Sequence, residues 1–174
     1  MTINEFLVHF VGDLSKEYEA TLTGLTDDQL YYLPNDSSCH IGFHAWHFAR
    51  TEDTVINFIC QDRRPTLWLR QGLPEKWALP KVAQGTGMSL AEACALRLPG
   101  LEALIGYIRD VWKDVEPYLA RATMEELQVQ TKMSPFGERP KLQHIGQAVI
   151  AHGNRHLGQI SMLRTMQGLK GETF

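Results

Sequence analysis

Cysteine is scarce in this chain, and its spacing does not suggest a site. The three cysteines, Cys39, Cys60 and Cys94, are an odd number and form no C-x-x-C pair. This spacing argues against a disulfide framework and against a thiolate zinc site, and it is typical of reduced thiols in a cytoplasmic protein. We therefore predict core or boundary cysteines and no catalytic thiol from the protein itself.

Long hydrophobic runs and a surplus of positive charge are also missing. No segment approaches the roughly 18 apolar residues of a membrane-spanning helix, and charged residues interrupt the N-terminal segment where a signal peptide would be apolar. With 17 basic and 20 acidic residues, the chain lacks the basic footprint of nucleic-acid-binding proteins. We predict a cytoplasmic protein that binds neither membrane nor nucleic acid.

Repeats and a convincing sheet are lacking too, whereas amphipathic helical patterns cover most of the 174 residues. Apolar residues recur at three- and four-residue spacing in four long segments, which are residues 2–22, 38–61, 100–120 and 142–166. Shorter capped helical segments are predicted at residues 26–30, 90–98 and 123–127. Residues 128–140 fit either an irregular loop or a small hairpin.

This pattern predicts an all-α fold, a four-helix bundle that forms a single domain over residues 1–174. The connection between helices two and three, residues 62–88, is by far the longest and is rich in proline and glycine. Because it is long enough to run the length of the bundle, it favours an up-down-down-up order. Trp68 and Trp77 in this connection are predicted either to cover an open site or to fix the loop to the bundle.

Two histidines of the last long helix lie where apolar residues are expected. His152 and His156 are four residues apart, so they share one helix face, which also carries Ile145, Val149 and Ile160. A buried imidazole without partners costs roughly 1–3 kcal/mol. A bound metal ion would supply a partner for both rings.

The second long helix brings further imidazoles toward the core. His40, His44 and His47 lie beside its apolar stripe. Catalytic metal sites commonly have three protein ligands and an open position, so one of these histidines is expected to complete a site with His152 and His156. Imidazole suits zinc, nickel, copper and iron alike, which leaves the metal open.

Two motifs together resemble those of the DinB/YfiT-like superfamily. They are H-I-G-F-H-A-W-H-F-A-R-T-E-D, residues 40–53, and H-G-N-R-H-L-G-Q-I, residues 152–160. The resemblance implies a helix bundle, frequent homodimers, and a divalent ion, often nickel or zinc, bound by His47, His152 and His156. Relatives often carry an acidic residue after the first histidine of the last helix, where Gly153 and Asn154 stand here.

The resemblance also implies a reaction class. Characterised members include transferases and isomerases that use a low-molecular-weight thiol such as bacillithiol, mycothiol or glutathione. We therefore expect a small-molecule substrate and a thiol-dependent S-transfer or isomerisation. The alternatives are a metal-dependent hydrolase that activates water and a non-catalytic protein in which the ion is structural.

The remaining polar residues near the two motifs have weaker signals. His44 is predicted to be a partly buried histidine, to orient an ion ligand or to serve as an alternative ligand, and His40 to be solvated or to cap its helix. Glu52 and Asp53 are predicted to be solvated, to pair with Arg50, or to orient an imidazole or take a proton. Trp46 is expected in packing or in a subunit contact, and His9 and His144 receive no role.

Overall fold

The computed structural model describes residues 1–171, which are mostly helical with one small two-stranded sheet. The elements in chain order are α1 (Ile3–Leu22), α2 (Asp27–Leu30), α3 (Ile41–Asp53), π1 (Thr54–Ile59), α4 (Leu67–Arg70), α5 (Leu73–Trp77), α6 (Leu90–Ala95), α7 (Leu101–Arg121), α8 (Met124–Gln128), β1 (Gln130–Met133), β2 (Gly137–Pro140), α9 (Lys141–His144), π2 (Ile145–Ala151) and α10 (His152–Met166).

Capping residues set the starts of the helices, as the sequence predicts. Thr2 accepts a hydrogen bond from the Glu5 amide at the start of α1, and the Glu5 carboxylate accepts one from the Thr2 amide. Ser89 and Glu92 form the same reciprocal pair at α6. Such pairs satisfy amides that have no partner inside the helix. Residues 128–140 form the small hairpin, in which Thr131 is paired with Arg139.

The second and fourth long helices each contain a wide π-helical segment, which the sequence analysis did not predict. Helix α3 continues into π1, and π2 lies between α9 and α10. At the first transition the hydroxyls of Thr51 and Thr54 donate to the carbonyls of His47 and Arg50, at 2.8 and 2.7 Å. Threonine hydroxyls that bond to the preceding turn in this way often bend helices. Here both hydrogen bonds lie where α3 gives way to π1.

Each of the long helices α1, α3, α7 and α10 packs against two of the others. Helix α1 contacts α7 and α10, and α3 contacts the same two helices. The amide of Asn4 donates to the carbonyl of Leu119 at 2.7 Å, whereas Glu19 pairs with Arg109 at 2.7 Å. The start of α1 therefore lies at the end of α7, and these two helices run in opposite directions.

The carboxylate of Asp53 anchors the long connection to the helices. It accepts hydrogen bonds from the amides of Leu67 and Trp68, at 2.8 and 2.9 Å, and from the hydroxyl of Tyr107 at 2.7 Å. Hydrogen-bond donors of this kind offset the cost of burying a carboxylate. The connection is therefore fixed to α3 and α7 at its first turn.

The apolar surfaces of the helices meet in one core. Across it, the rings of Tyr18 from α1 and Phe48 from α3 are stacked with centroids 4.1 Å apart. Within residues 1–171, no helix is long and apolar enough to cross a membrane.

Candidate metal centre

His47 from α3 and His152 and His156 from α10 bring their ring nitrogens together inside the helix assembly. Nε2 of His47 lies 3.2 Å from Nε2 of His152, which lies 3.0 Å from Nε2 of His156. Three imidazoles on one tetrahedral zinc ion, each at about 2.0–2.1 Å, would place their nitrogens roughly 3.3–3.4 Å apart. The donor set and its spacing therefore fit a divalent ion, and the three histidines form a group able to hold one.

A backbone carbonyl fixes the orientation of His47. The carbonyl oxygen of Gln84 contacts Nδ1 of His47, and because a carbonyl only accepts, Nδ1 must carry the proton. In the neutral ring, Nε2 is then unprotonated and directed at the other two histidines. A hydrogen bond of this kind from the remote ring nitrogen is the usual support of a metal-binding histidine.

His44 contacts the opposite side of His156. Nδ1 of His44 lies 2.9 Å from Nδ1 of His156, so one ring donates and the other accepts. If Nε2 of His156 is a ligand, its Nδ1–H donates to His44, which holds its own proton on Nε2. The geometry thus places His44 beside a candidate ligand and outside the group of three.

The imidazoles of this cluster are held in the neutral form. Burial lowers the pKa of His152 and of His44 to about 4 and that of His156 to about 3, and the neighbouring histidines act in the same direction. Burial also lowers the pKa of His47. Neutral imidazole is the form that binds metal ions, so the cluster needs no proton loss at neutral pH.

Two cavities border the cluster. The first, which we call the hairpin cavity, has a volume of about 230 Å³, with His47 and His152 in its wall and the turn between β1 and β2 over it. The second, the α10 cavity, measures about 510 Å³ and has His44 and Arg155 in its wall. The larger cavity touches none of the three converging histidines, so the smaller one is the cavity at the candidate metal centre.

A buried network that the sequence analysis missed holds the loop that carries Gln84. The guanidinium of Arg50 lies 4.6 Å from the centre of the Trp68 ring and 3.4 Å from the carbonyl oxygen of Val82, to which it donates. Nε1 of Trp68 donates to the carbonyl of Pro80 at 3.3 Å. Trp68 is fully buried and lines neither cavity, so it fixes the loop and does not cover the site.

The predicted solvation of Glu52 and Asp53 is wrong. Asp53 is fully buried as the anchor of the connection, with Arg50 at 3.9 Å. Glu52 is 1 % exposed, and its two carboxylate oxygens have no hydrogen-bond partner among residues 1–171. Burial raises the pKa of Glu52 to about 8, and the Asp53 carboxylate acts in the same direction. Glu52 lines neither cavity.

Gly153 explains why no acidic residue follows His152. A side chain at this position would begin 2.6 Å from the ring of Phe48 and 3.1 Å from the side chain of Leu14. The Gly153 carbonyl also accepts a hydrogen bond from Tyr18 at 2.8 Å. Helix α10 therefore approaches α1 and α3 too closely at residue 153 for a carboxylate there, whereas Asn154 is exposed.

The other residues singled out from the sequence have structural roles. His40 caps α3 by accepting from the Phe43 amide at 3.0 Å, so capping is confirmed and solvation is wrong, since His40 is fully buried. This cap moves the start of the helix from Ser38 to Ile41. Trp46 is buried in the chain's own core, which confirms packing.

The thiols of Cys39 and Cys60 show no sign of activation. All three cysteines are free, and burial raises the pKa of Cys39 to about 11 and that of Cys60 to about 12. A reactive cysteine requires a lowered pKa. Nucleophilic sulfur at this centre would therefore have to come from a second molecule.

Comparisons with known proteins agree with this geometry. The family model described as the DinB superfamily matches residues 14–160. The crystal structure of a conserved protein from Enterococcus faecalis has a TM-score of 0.82 to this chain at 21% sequence identity, and covers 95% of this chain and 97% of that one. At this identity the likeness shows the fold alone. No curated protein matches the chain.

Proposed function

The chain belongs to the DinB superfamily, and on this premise we propose that it is a metal-dependent enzyme, namely a thiol-dependent S-transferase or isomerase. Proteins of this superfamily are generally metal-dependent. The observation that carries the proposal is the convergence of the ring nitrogens of His47, His152 and His156, in which Nε2 of His152 lies 3.2 Å from Nε2 of His47 and 3.0 Å from Nε2 of His156. These three residues would hold the ion, which is nickel or zinc.

The bound ion would lower the pKa of a thiol or water that occupies its open position. The protein's own residues supply the rest of the arrangement. The Gln84 carbonyl holds His47, His44 orients His156, and the hairpin cavity admits a substrate beside His47 and His152. In the proposed S-transfer, the thiol loses its proton to solvent, a carbon–sulfur bond forms, and the leaving group departs with its bonding electrons.

We also infer that the four long helices form an up-down-down-up bundle. Helices α1 and α7 run in opposite directions, as described above. Between α3 and α10, His44 pairs with His156 and His47 with His152, so their numbering runs in opposite directions too. The early part of α7 contacts Asp53, whereas its later Tyr118 donates to the Cys60 carbonyl, and this order supports α3 and α7 in parallel.

The first experiment tests metal binding. Wild type, His47→Ala, His152→Ala and the exposed control His9→Ala are each loaded with nickel or zinc, freed of excess ion and subjected to elemental analysis. We expect about one ion per chain in wild type and His9→Ala and little bound ion in the other two, because each of them has lost one of three ligands. Full occupancy in both site variants would refute the site.

The second experiment tests the reaction. The metal-loaded protein is incubated with glutathione, bacillithiol or mycothiol and the electrophile chlorodinitrobenzene, and S-conjugation is followed by absorbance. We expect turnover with at least one thiol, which is lost in His47→Ala. Absence of turnover above the metal-free protein with every thiol would count against the transferase, and metal-dependent hydrolysis without a thiol would favour water activation. The cytoplasmic location and the homodimer remain predictions.

A further inference from the structure

We propose that the hairpin cavity binds an uncharged, mainly apolar small molecule about the size of a single ring, which carries one hydrogen-bonding group. This proposal rests on the proposed function, because it assigns the cavity to the acceptor substrate and not to the thiol.

The position of the cavity brings its occupant to the candidate metal centre. Its wall joins α3, the loop after α5, the hairpin turn and π2, and it includes His47 and His152. The Nε2 atoms of these two rings, 3.2 Å apart, belong to the converging group. A molecule in this cavity would therefore lie beside the ion and the nucleophile that the ion activates.

The wall of the cavity combines an apolar part with polar side chains that carry no formal charge at neutral pH. Its apolar part consists of Val55, Met133, Pro135, Phe136 and Ala148. No acidic residue, lysine or arginine lines it within the described part of the chain. Transfer of a charged group from water to a site without a counter-charge is strongly disfavoured. This wall therefore selects against charged ligands.

Two residues of the wall have a buried polar atom without a partner among the residues described, namely Nδ1 of His152 and Oε1 of Gln84. The side-chain oxygen Oε1 of Gln84 is buried without a hydrogen bond to any residue of 1–171, while the hydroxyl of Thr51 already donates to the His47 carbonyl. His152 belongs to the candidate metal centre, and a buried acceptor without a donor, such as Gln84 Oε1, is disfavoured. The Gln84 amide is therefore the group that would bond to a hydroxyl or amide of the ligand.

The volume limits the size of the ligand. An apolar cavity of about 150 Å³ accommodates benzene, whereas drug-sized ligands occupy roughly 300–1,000 Å³. The hairpin cavity, at about 230 Å³, lies between these values. It suits one ring with a short substituent and is too small for a peptide-like thiol such as glutathione.

The test measures binding to the metal-free protein, so that it needs neither the ion nor the reaction. Dissociation constants are determined by NMR titration at neutral pH for three probes of nearly equal shape: benzyl alcohol, benzylammonium and benzoate. We expect benzyl alcohol to bind at least about tenfold more tightly than either charged probe, because the wall offers no counter-charge. Equal affinities for all three probes would overturn the proposal.

Gln84→Glu is the matching variant, because it replaces the amide by a carboxylate of the same shape and leaves the backbone carbonyl on His47. We expect Gln84→Glu to weaken the binding of benzyl alcohol and to strengthen the binding of benzylammonium by about tenfold. Asn35→Asp is the control, since it makes the same change in the wall of the α10 cavity. Unchanged binding in Gln84→Glu, or the same shifts in Asn35→Asp, would refute the assignment.

The proposal and the proposed function fail separately. Selective binding of benzyl alcohol in a protein that shows no thiol-dependent turnover would support the cavity assignment and refute the transferase. Thiol-dependent turnover in a protein that binds the three probes equally would support the transferase and refute the cavity assignment.

Discussion

Gly153 is the residue at which α10 lies closest to its neighbours. We expect Gly153→Ala to lower the free energy of unfolding by about 1–3 kcal/mol, because the added methyl would overlap the Phe48 ring, 2.6 Å away. Gly158→Ala on the same helix is the control: its methyl would meet nothing within 4 Å, and alanine favours a helix by about 1 kcal/mol over glycine. Urea unfolding of the metal-free variants measures both, and destabilisation of equal size in the two would contradict the argument.

Glu52 gives the protein a second residue-scale property, a stability that depends on pH. Its pKa is raised from 4.5 to about 8 in the fold, so between these values the folded protein binds more protons than the unfolded chain. Its contribution to stability is therefore present below pH 4.5 and is lost as the pH rises through 8. We expect Glu52→Gln to remove this pH dependence, which amounts to on the order of 5 kcal/mol across the window.

The measurement compares the free energy of unfolding of wild type and Glu52→Gln from pH 4.5 to 9. The difference between the two proteins should change steadily in favour of the variant as the pH rises. Asp36→Asn, a change at an exposed carboxylate, provides the control. A constant difference between wild type and Glu52→Gln would show that Glu52 is ionised in the fold.

The candidate ligands illustrate what the sequence can reveal about a site. His152 and His156 were evident from their place in an apolar stripe, and the resemblance supplied His47. The contact of His44 with His156 depends on the relative axial position of α3 and α10, and no local sequence pattern encodes this position. The burial of Glu52 was missed because an isolated glutamate is almost always exposed.

At the scale of elements, the loop that carries Gln84 is fitted closely around His47. Gly85 has a φ of +101°, and a side chain there would begin 2.8 Å from Nδ1 of His47. We expect Gly85→Ala to displace the Gln84 carbonyl and to weaken zinc binding by roughly 10–100-fold, the usual effect of losing a hydrogen bond that orients a ligand. Competition with a chromophoric chelator measures the affinity.

Gly87→Ala is the control for this prediction. Gly87 also has a positive φ, of +82°, but a side chain there would meet nothing within 4 Å. Both variants have the same kind of backbone strain, and only Gly85→Ala meets His47. Equal zinc affinities in the two variants would show that the loop does not position the ligand.

Helix starts could be predicted from the sequence, whereas the loop and the π segments could not. Threonine and serine caps are local signals, and those at Thr2 and Ser89 were correct. A π segment has a wider turn than an α-helix, but π1 and π2 are each shorter than two turns, which is too short to change the apolar pattern visibly. The contact between Gln84 and His47 spans 37 residues and is made by a backbone atom, which has no sequence signature.

For the molecule as a whole, the buried imidazoles predict instability in acid. His44 and His152 have pKa values of about 4 and His156 of about 3, against about 6.5 in an unfolded chain. The unfolded chain therefore binds more protons between these values, and stability is lost as the pH falls from 6.5 toward 4. We expect the metal-free protein to lose free energy of unfolding steeply in this window.

Two substitutions check the origin of this loss. His156→Gln should reduce the slope by about one proton, or about 1.4 kcal/mol per pH unit. His9→Ala removes an exposed imidazole and should leave the slope unchanged. Since Glu52 acts in the opposite direction above pH 4.5, the comparison is made in a Glu52→Gln background. A slope that is insensitive to His156→Gln would contradict the prediction.

The π2 segment directly before His152 has a consequence for insertions and deletions. A π turn closes its hydrogen bonds one residue later than an α turn, so removing one residue from 145–151 would leave a continuous α-helix. That helix would retain its backbone hydrogen bonds, and His152 and His156 would stay near their present face, because the wide turn had absorbed the extra residue. Removing one residue from 153–155, where α10 is α-helical, would instead turn His156 by about 100° away from His152. One codon therefore separates a chain whose His152 and His156 face His47 from an equally helical chain without a common site.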